Sequence, residues 1–342
     1  MNHVLVTGAT GFIGRPLVTE LRRQSLSVRA LVRDAGRAGI LGECGVSLHE
    51  GRVEDSSSMD GLCAGIDTVF HLAGYAHADA ASKDASDLHQ KITVEGTRGL
   101  LSVAIRQRVK RFLLVSSAKA QGEDTVGCID EDAPSLPTTD YGRSRFETER
   151  LVLAAGREAG LETCVLRLPL VYGPGQKGNL LRMMEAIDRG RFPPLPDTGN
   201  QRSLVYVDDV VQALVLAAAN DAAVGKIYYV TDNKPYTTTD LYRMMRRALG
   251  RAEPRWSLPL GVLRMLARMG DLGQLVLRRG VGFDSKALKK LTGTACYRCD
   301  RIMRDLGFRP TRTFEVALPE MVKVYKAGLR DQDIKAGLSA KD

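Results

Sequence analysis

HVLVTGATGFIG, residues 3–14, is an apolar run that opens into three glycines spaced GxxGxxG. HVLVTG (3–8) reads as a buried strand and PLVTELRRQ (16–24) as a helix. Glycine between them permits a tight turn and lets the backbone come close to a pyrophosphate. The helix that follows offers unpaired N–H groups and the positive end of its dipole to phosphate oxygens. A glycine pattern alone is a weak signal; with a strand before it and a helix after it, it points to dinucleotide binding. A plain glycine-rich turn is the alternative.

Outward from that turn, β-rich runs alternate with helical patterns. VRALVR (28–33), SLHEG (47–51), TVFHLAG (68–74), RFLLVSS (111–117) and TCVLRLPLVYG (163–173) read as strands. Helices are expected near 86–108 and from Tyr141 to about Gly156. This alternation predicts βαβ units, right-handed crossovers and a parallel sheet covered on both faces. The expected fold is α/β, a doubly wound, Rossmann-type parallel sheet with a smaller mixed lobe for substrate. The dinucleotide-binding domain is expected over 1–170, with 203–232 returning to it as a strand, a long apolar helix (203–220) and a strand (226–232). The lobe takes 171–202 and 233–327, including a helix over 237–250, and 328–342 reads as a loose polar tail. LPLGVLRMLARMGDLGQLVLRR (258–279) is apolar with interspersed arginines. Its two interior glycines and helical spacing predict a helix pair of the lobe, with a membrane-surface helix as the alternative.

The chain has 342 residues, enough to bury a large core, and no apolar run reaches a membrane span. The first residues carry no basic leader or cleavage site, so the expected compartment is the cytoplasm. Six cysteines, at 44, 63, 128, 164, 296 and 299, are too sparse for a disulfide scaffold and suit a reducing compartment. Cys296 and Cys299 read as two helical residues on one face; a redox pair is the alternative, and a zinc site would need two further ligands. No metal is expected. The net charge of +9 is spread rather than blocked. A solvated surface and a pocket for a polyanionic ligand account for it, and no nucleic-acid partner is expected.

In DYGRSRFETE (140–149) Tyr141 and Arg145 lie four residues apart, hence on one face of a helix. By itself that is an ordinary exposed pair. The motifs around it change its meaning. TGATGFIG, HLAG (71–74), VSSAKAQGE (115–123), YGRSR (141–145), LRLPLVYGPG (166–175) and QRSLVYVDD (201–209) occur in an order that resembles the extended branch of the short-chain dehydrogenase/reductase superfamily. Within it, VSSAKAQGE and VYGPGQKGN are most similar to bacterial nucleotide-sugar 4-epimerases and to reductases of UDP-4-keto-6-deoxy-N-acetylhexosamine.

The resemblance implies an NAD(P)-dependent oxidoreductase reducing the 4-keto group of a UDP-linked, N-acetylated 6-deoxyhexose, as in polysaccharide or O-antigen precursor synthesis. It implies Ser117, Tyr141 and Arg145 as catalytic residues. Ser117 orients the reacting oxygen, Tyr141 carries the proton, and Arg145 stands where the family has lysine. Ser116, its neighbour on the strand, points the other way. An arginine stays cationic but is bulkier and cannot join a proton relay, so the exchange is not conservative. The implied cofactor residues are Gly8, Thr10, Gly11, Phe12, Ile13, Gly14, Arg33, Val53, Leu72, Ala73, Gly74, Thr93, Tyr141, Arg145, Pro169 and Val171. Thr93 replaces a common asparagine, and Arg52 replaces an adenine-side acid, with Asp55 further on. Arg33 after the second strand favours NADP(H), because an arginine there accommodates a 2′-phosphate; Asp34 keeps NAD open. Ser117, Lys177, Asn179, Leu180 and Arg202 are the implied substrate residues, Arg202 pairing with phosphate oxygens. A homodimer is implied. Two other readings stand beside the reductase: a UDP-N-acetylglucosamine-type 4-epimerase holding NAD tightly, and a dinucleotide sensor without catalysis.

Overall fold

The computed structural model describes residues 1–36, 38–75, 83–277 and 283–339. Its main sheet is built from β1 (His3–Thr7), β2 (Ser27–Val32), β3 (Ser47–Glu50), β4 (Thr68–His71), β5 (Arg111–Ser117), β7 (Glu162–Leu168) and β10 (Lys226–Tyr229). The short strand β6 (Cys128–Ile129) falls outside it, as do β8 (Leu170–Tyr172) and β9 (Arg202–Tyr206). The seven strands run parallel in the order β3-β2-β1-β4-β5-β7-β10. The chain therefore winds one way from β1 to β3 and the other way from β4 onward. The reversal opens a crevice at the C-terminal ends of β1 and β4, where such sheets bind their ligands.

The period-two rule explains why both faces are covered. Val4 and Val6 enter one core, with Leu17, Val18 and Leu21 of the helix Gly14–Arg23 and Val210 and Leu214 of the helix Val207–Ala219. Leu5 enters the opposite core, with Leu100 and Ala104 of the helix Gly96–Arg106 and Val152 of the helix Asp140–Ala159. Phe112 and Leu114 alternate with Leu113 and Val115 in the same way. Strands buried on two faces read as unbroken apolar runs, which is how they look in the sequence.

The run read as one strand over 163–173 is two, because Pro169 lacks the N–H that would continue the ladder. Beyond it, β8, β9 and β11 (Pro235–Tyr236) form a separate three-stranded sheet. Only part of 203–232 therefore rejoins the main sheet: β9 pairs in the small sheet, whereas the helix Val207–Ala219 packs on the large one and β10 closes its edge. Tyr172, Met184, Leu204, Tyr236, Leu241 and Phe314 build the core of the lobe.

Four other expectations change. The helix near 86–108 is interrupted: His89–Glu95 widens to a π-helix between Lys83–Leu88 and Gly96–Arg106. Residues 260–277 form one helix rather than a pair, and 278–279 lie outside the described residues. The segment 328–342 is not loose throughout, since the helix Phe314–Ser339 continues through it; 340–342 lie outside the described residues. Cys296 does not share a helix face with Cys299. It lies in the strand β12 (Cys296–Tyr297) beside β6 and forms a disulfide with Cys128, 168 residues away. Cys299 is a buried thiol ahead of the helix Asp300–Leu306. No described helix is long and apolar enough to cross a membrane.

Candidate active site

Tyr141 sits in the first turn of the helix Asp140–Ala159, and that turn is tied down on three sides. The Thr139 hydroxyl caps Gly142 N at 3.1 Å, and Glu123 accepts from the Thr138 and Thr139 hydroxyls at 2.6 and 2.5 Å. A side chain at Gly142 would meet Lys119 O at 2.7 Å, so glycine lets the helix start press on the segment after β5. Ser117 ends β5 close to the Tyr141 phenol, where its hydroxyl favours the phenolate. The Arg145 guanidinium stands 5.3 Å from the Tyr141 ring centre. The three residues implied as catalytic thus meet in one place.

Burial alone would push the Tyr141 phenol up. The Arg145 charge, the Ser117 hydroxyl and the Lys119 charge oppose it and leave the phenol below its ordinary value. Arg145 is 7% exposed, lies within reach of the Tyr141 phenol, gives a long bond of 3.5 Å to Val115 O, and keeps a buried Nε without a partner. A buried guanidinium with donors to spare is suited to hold a hydroxyl-rich ligand beside Tyr141.

The dinucleotide cradle lies against the same crevice. Gly8 has φ +70°, and a side chain on Gly14 would fall 2.1 Å from Gly8 O, so the helix can begin hard against the turn only with glycine. Phe12 and Ile13 anchor the turn on the lobe core, and Thr10 and Gly11 face solvent. Leu72, Ala73 and Gly74 form the opposite wall, with Ala73 N held by Thr7 Oγ1 at 3.1 Å. The same Thr7 hydroxyl bonds the buried His71, whose other nitrogen meets Thr97. Burial and the Arg145 charge lower the His71 pKa to about 3, so its ring is neutral. The exposed glycine turn at Thr10 and Gly11, set at the start of the helix Gly14–Arg23, and the spare Arg145 donor suit a nicotinamide dinucleotide.

Other implied residues are placed as follows. Thr93 is buried on the π-helix and accepts from Tyr75 N at 3.1 Å, pinning the segment after β4. Pro169 and Val171 are half-buried beyond β7. Arg33 and Asp34 are exposed past the end of β2. Val53 is a core residue packed on Gly96, and Asp55 is occupied in capping Ser57 N. Lys177 and Asn179 are exposed at the start of the helix Asn179–Asp188, whereas Leu180 is buried in the lobe core. Arg202 gives its guanidinium to Lys290 O and Gly293 O. Both bonds come from Nη2 alone. Among the described residues no group of three or more potential ligands could hold a metal.

Three features of the site escape a reading by motif. Lys119 brings a second cation to 5.8 Å from the Tyr141 ring centre. His89 on the π-helix packs edge-on against Tyr141 and Tyr75. Glu149, two turns after Tyr141, accepts from Ser116 at 2.5 Å and from the fully buried Arg167 at 2.7 Å. Arg167 also bonds Gln121. Glu149 was visible as a charge four residues beyond Arg145 on the same face; its partners, from other strands, were not.

Comparison with known proteins settles what this arrangement belongs to. A model of the NAD dependent epimerase/dehydratase family matches residues 4–231, from the glycine turn through β10. The chain belongs to that family. This epimerase/dehydratase family member is an enzyme whose chemistry depends on a nicotinamide dinucleotide, and the extended short-chain dehydrogenase/reductase likeness of its motifs stands. UDP-glucose 4-epimerase of Vibrio cholerae is 28% identical over 330 residues, 94% of this chain and 95% of that protein. The 3 beta-hydroxysteroid dehydrogenase/Delta 5→4-isomerase of Mycobacterium tuberculosis (strain H37Rv) is 27% identical over 344 residues, 95% of this chain and 90% of that one. The solved UDP-glucose 4-epimerase of Thermotoga maritima, with UDP-glucose, shares the fold with a TM-score of 0.77 at 24% identity, over 96% of this chain and 99% of that one.

Proposed function

We propose that the enzyme reduces the 4-keto group of a UDP-linked 6-deoxy-N-acetylhexosamine with NADPH. The observation that carries this reading is the meeting of Tyr141, Ser117 and Arg145 beside the glycine cradle, in a chain similar end to end to a UDP-sugar epimerase. Gly8, Thr10, Gly11, Phe12, Ile13 and Gly14 hold the dinucleotide's phosphates, Leu72, Ala73 and Gly74 lie along it, and Arg145 reaches its ribose. When bound, the dinucleotide supplies hydride to the sugar's C4. Tyr141 gives its phenolic proton to the 4-oxygen, which becomes a hydroxyl. Ser117 donates a hydrogen bond to that oxygen and fixes it within reach of Tyr141. Arg145 and Lys119 stabilise the phenolate left on Tyr141. Lys177 and Asn179 contact the nucleotide, and Arg202 serves the diphosphate through the donors that do not meet the 290–293 carbonyls.

Arg33, exposed past β2, supports NADPH over NADH, because a guanidinium there accommodates a 2′-phosphate. A homodimer formed through the Tyr141 helix belongs to the same proposal. The second reading is a UDP-sugar 4-epimerase with tightly held NAD, favoured by the family's NAD dependence and the Vibrio relative. Mass spectrometry of ligands retained by the purified protein separates the two. The reductase is expected to carry little dinucleotide or NADP(H); stoichiometric NAD would favour the epimerase. A retained sterol would favour chemistry like that named for the Mycobacterium relative.

A further inference from the structure

Gly74 closes the HLAG segment after β4 and faces Arg145 directly. A side chain begun at Gly74 would lie 2.7 Å from Arg145 Nη2, 3.0 Å from Nη1 and 3.1 Å from Cζ. The guanidinium therefore fills the space that residue 74 leaves open. Its other surroundings are close: Val115 O at 3.5 Å, the Tyr141 ring centre at 5.3 Å, and only 7% of the residue exposed. Guanidinium is a planar fork of three nitrogens, whereas an ammonium ends a slim stem in a single nitrogen. All three atoms nearest the missing Cβ belong to the fork.

We propose that Gly74 is a positioning residue whose absent side chain seats the Arg145 guanidinium, so that glycine at 74 and arginine at 145 work as a pair. The pair matters for catalysis through the assignment of Tyr141 as the acid, on which this inference rests. With alanine at 74 the guanidinium must swing aside or the cofactor-facing wall must move. Either change draws positive charge away from the Tyr141 phenol. Lysine at 145 would tolerate the alanine, since its stem clears a methyl group more easily.

Four proteins test the pair: wild type, Gly74→Ala, Arg145→Lys, and the double variant. Carbon-13 NMR of Cζ-labelled tyrosine, with the Tyr141 signal assigned by its loss in Tyr141→Phe, follows the phenol's ionisation without any substrate. Carbonyl reduction is measured alongside. Gly74→Ala is expected to raise the ionisation midpoint by about one unit and to lower kcat about tenfold. In the Arg145→Lys background the same alanine is expected to move the ionisation midpoint by less than about 0.3 unit and to lower kcat less than it does in wild type. An equal effect of the alanine in both backgrounds, or no effect in either, overturns the pair. If Gly74→Ala does not fold, folding of the double variant supports the pair and its failure overturns it. If no variant turns over substrate, the proposed reaction falls, and the titration still decides the pair.

Discussion

Tyr141→Phe lowers kcat by a factor of about a hundred to ten thousand, the range expected when a positioned acid is removed. The substitution takes away one hydroxyl and leaves the ring against His89 and Arg145, so the fold and dinucleotide affinity stay near wild type. The remaining rate would come from Ser117 and from positioning alone. Wild type also carries a pH signature. The Tyr141 phenol is held below its ordinary value of about 10 despite its burial. Carbonyl reduction needs the protonated phenol, so its rate falls as pH rises through that lowered midpoint. Alcohol oxidation needs the phenolate and rises over the same interval. Tyr141→Phe removes both limbs. A Phe variant within about threefold of wild type would take the acid role away from Tyr141.

Arg167→Met lowers stability by about 3–5 kcal/mol, measured as a shifted urea midpoint at constant slope. The cause is what the arginine leaves behind. Glu149 is fully buried and takes its charge-assisted bonds from Arg167, with Ser116 as a further donor. Removing the cation leaves a carboxylate in the interior without its counter-charge. Glu149→Leu combined with Arg167→Met costs less than Arg167→Met alone, because a well-packed apolar pair replaces a buried ion pair with little penalty. If the single variant is as stable as wild type, Glu149 is not held as an anion by Arg167. The pair also lies directly behind the site: Glu149 shares a helix with Tyr141 and Arg145, and Ser116 adjoins Ser117. Loosening it is therefore expected to lower turnover at temperatures where the protein stays folded.

Much of this was legible because it is local. The glycine turn reads from residues six apart, the strands from two-faced apolar runs, and Tyr141 with Arg145 from one helical turn. The order of motifs then placed Ser117 beside them. What stayed hidden depends on distant partners. Arg202 was visible as an arginine, but its bonds to the 290–293 carbonyls arise from a helix nearly ninety residues on. Cys296 lies three residues before Cys299 in sequence, yet its partner is Cys128, brought alongside by β6 and β12. Leu180 and Val53 were implied as ligand residues and pack in apolar cores. Lys119 stood in the quoted VSSAKAQGE without a role, because nothing in a strand pattern shows that the residue after the turn will face Tyr141. Gly74 was implied as a cofactor residue of HLAG; that Arg145 fills the space beside it shows only in the folded chain.

The reductase reading is tested most directly by absorbance at 340 nm, with the purified enzyme, NADPH and UDP-4-keto-6-deoxy-N-acetylglucosamine. The predicted result is NADPH oxidation matched one for one by a UDP-6-deoxy-N-acetylhexosamine, slower with NADH and lost in Tyr141→Phe. No NADPH oxidation by the folded protein, or interconversion of UDP-sugars on retained NAD without any added NADPH, would contradict it.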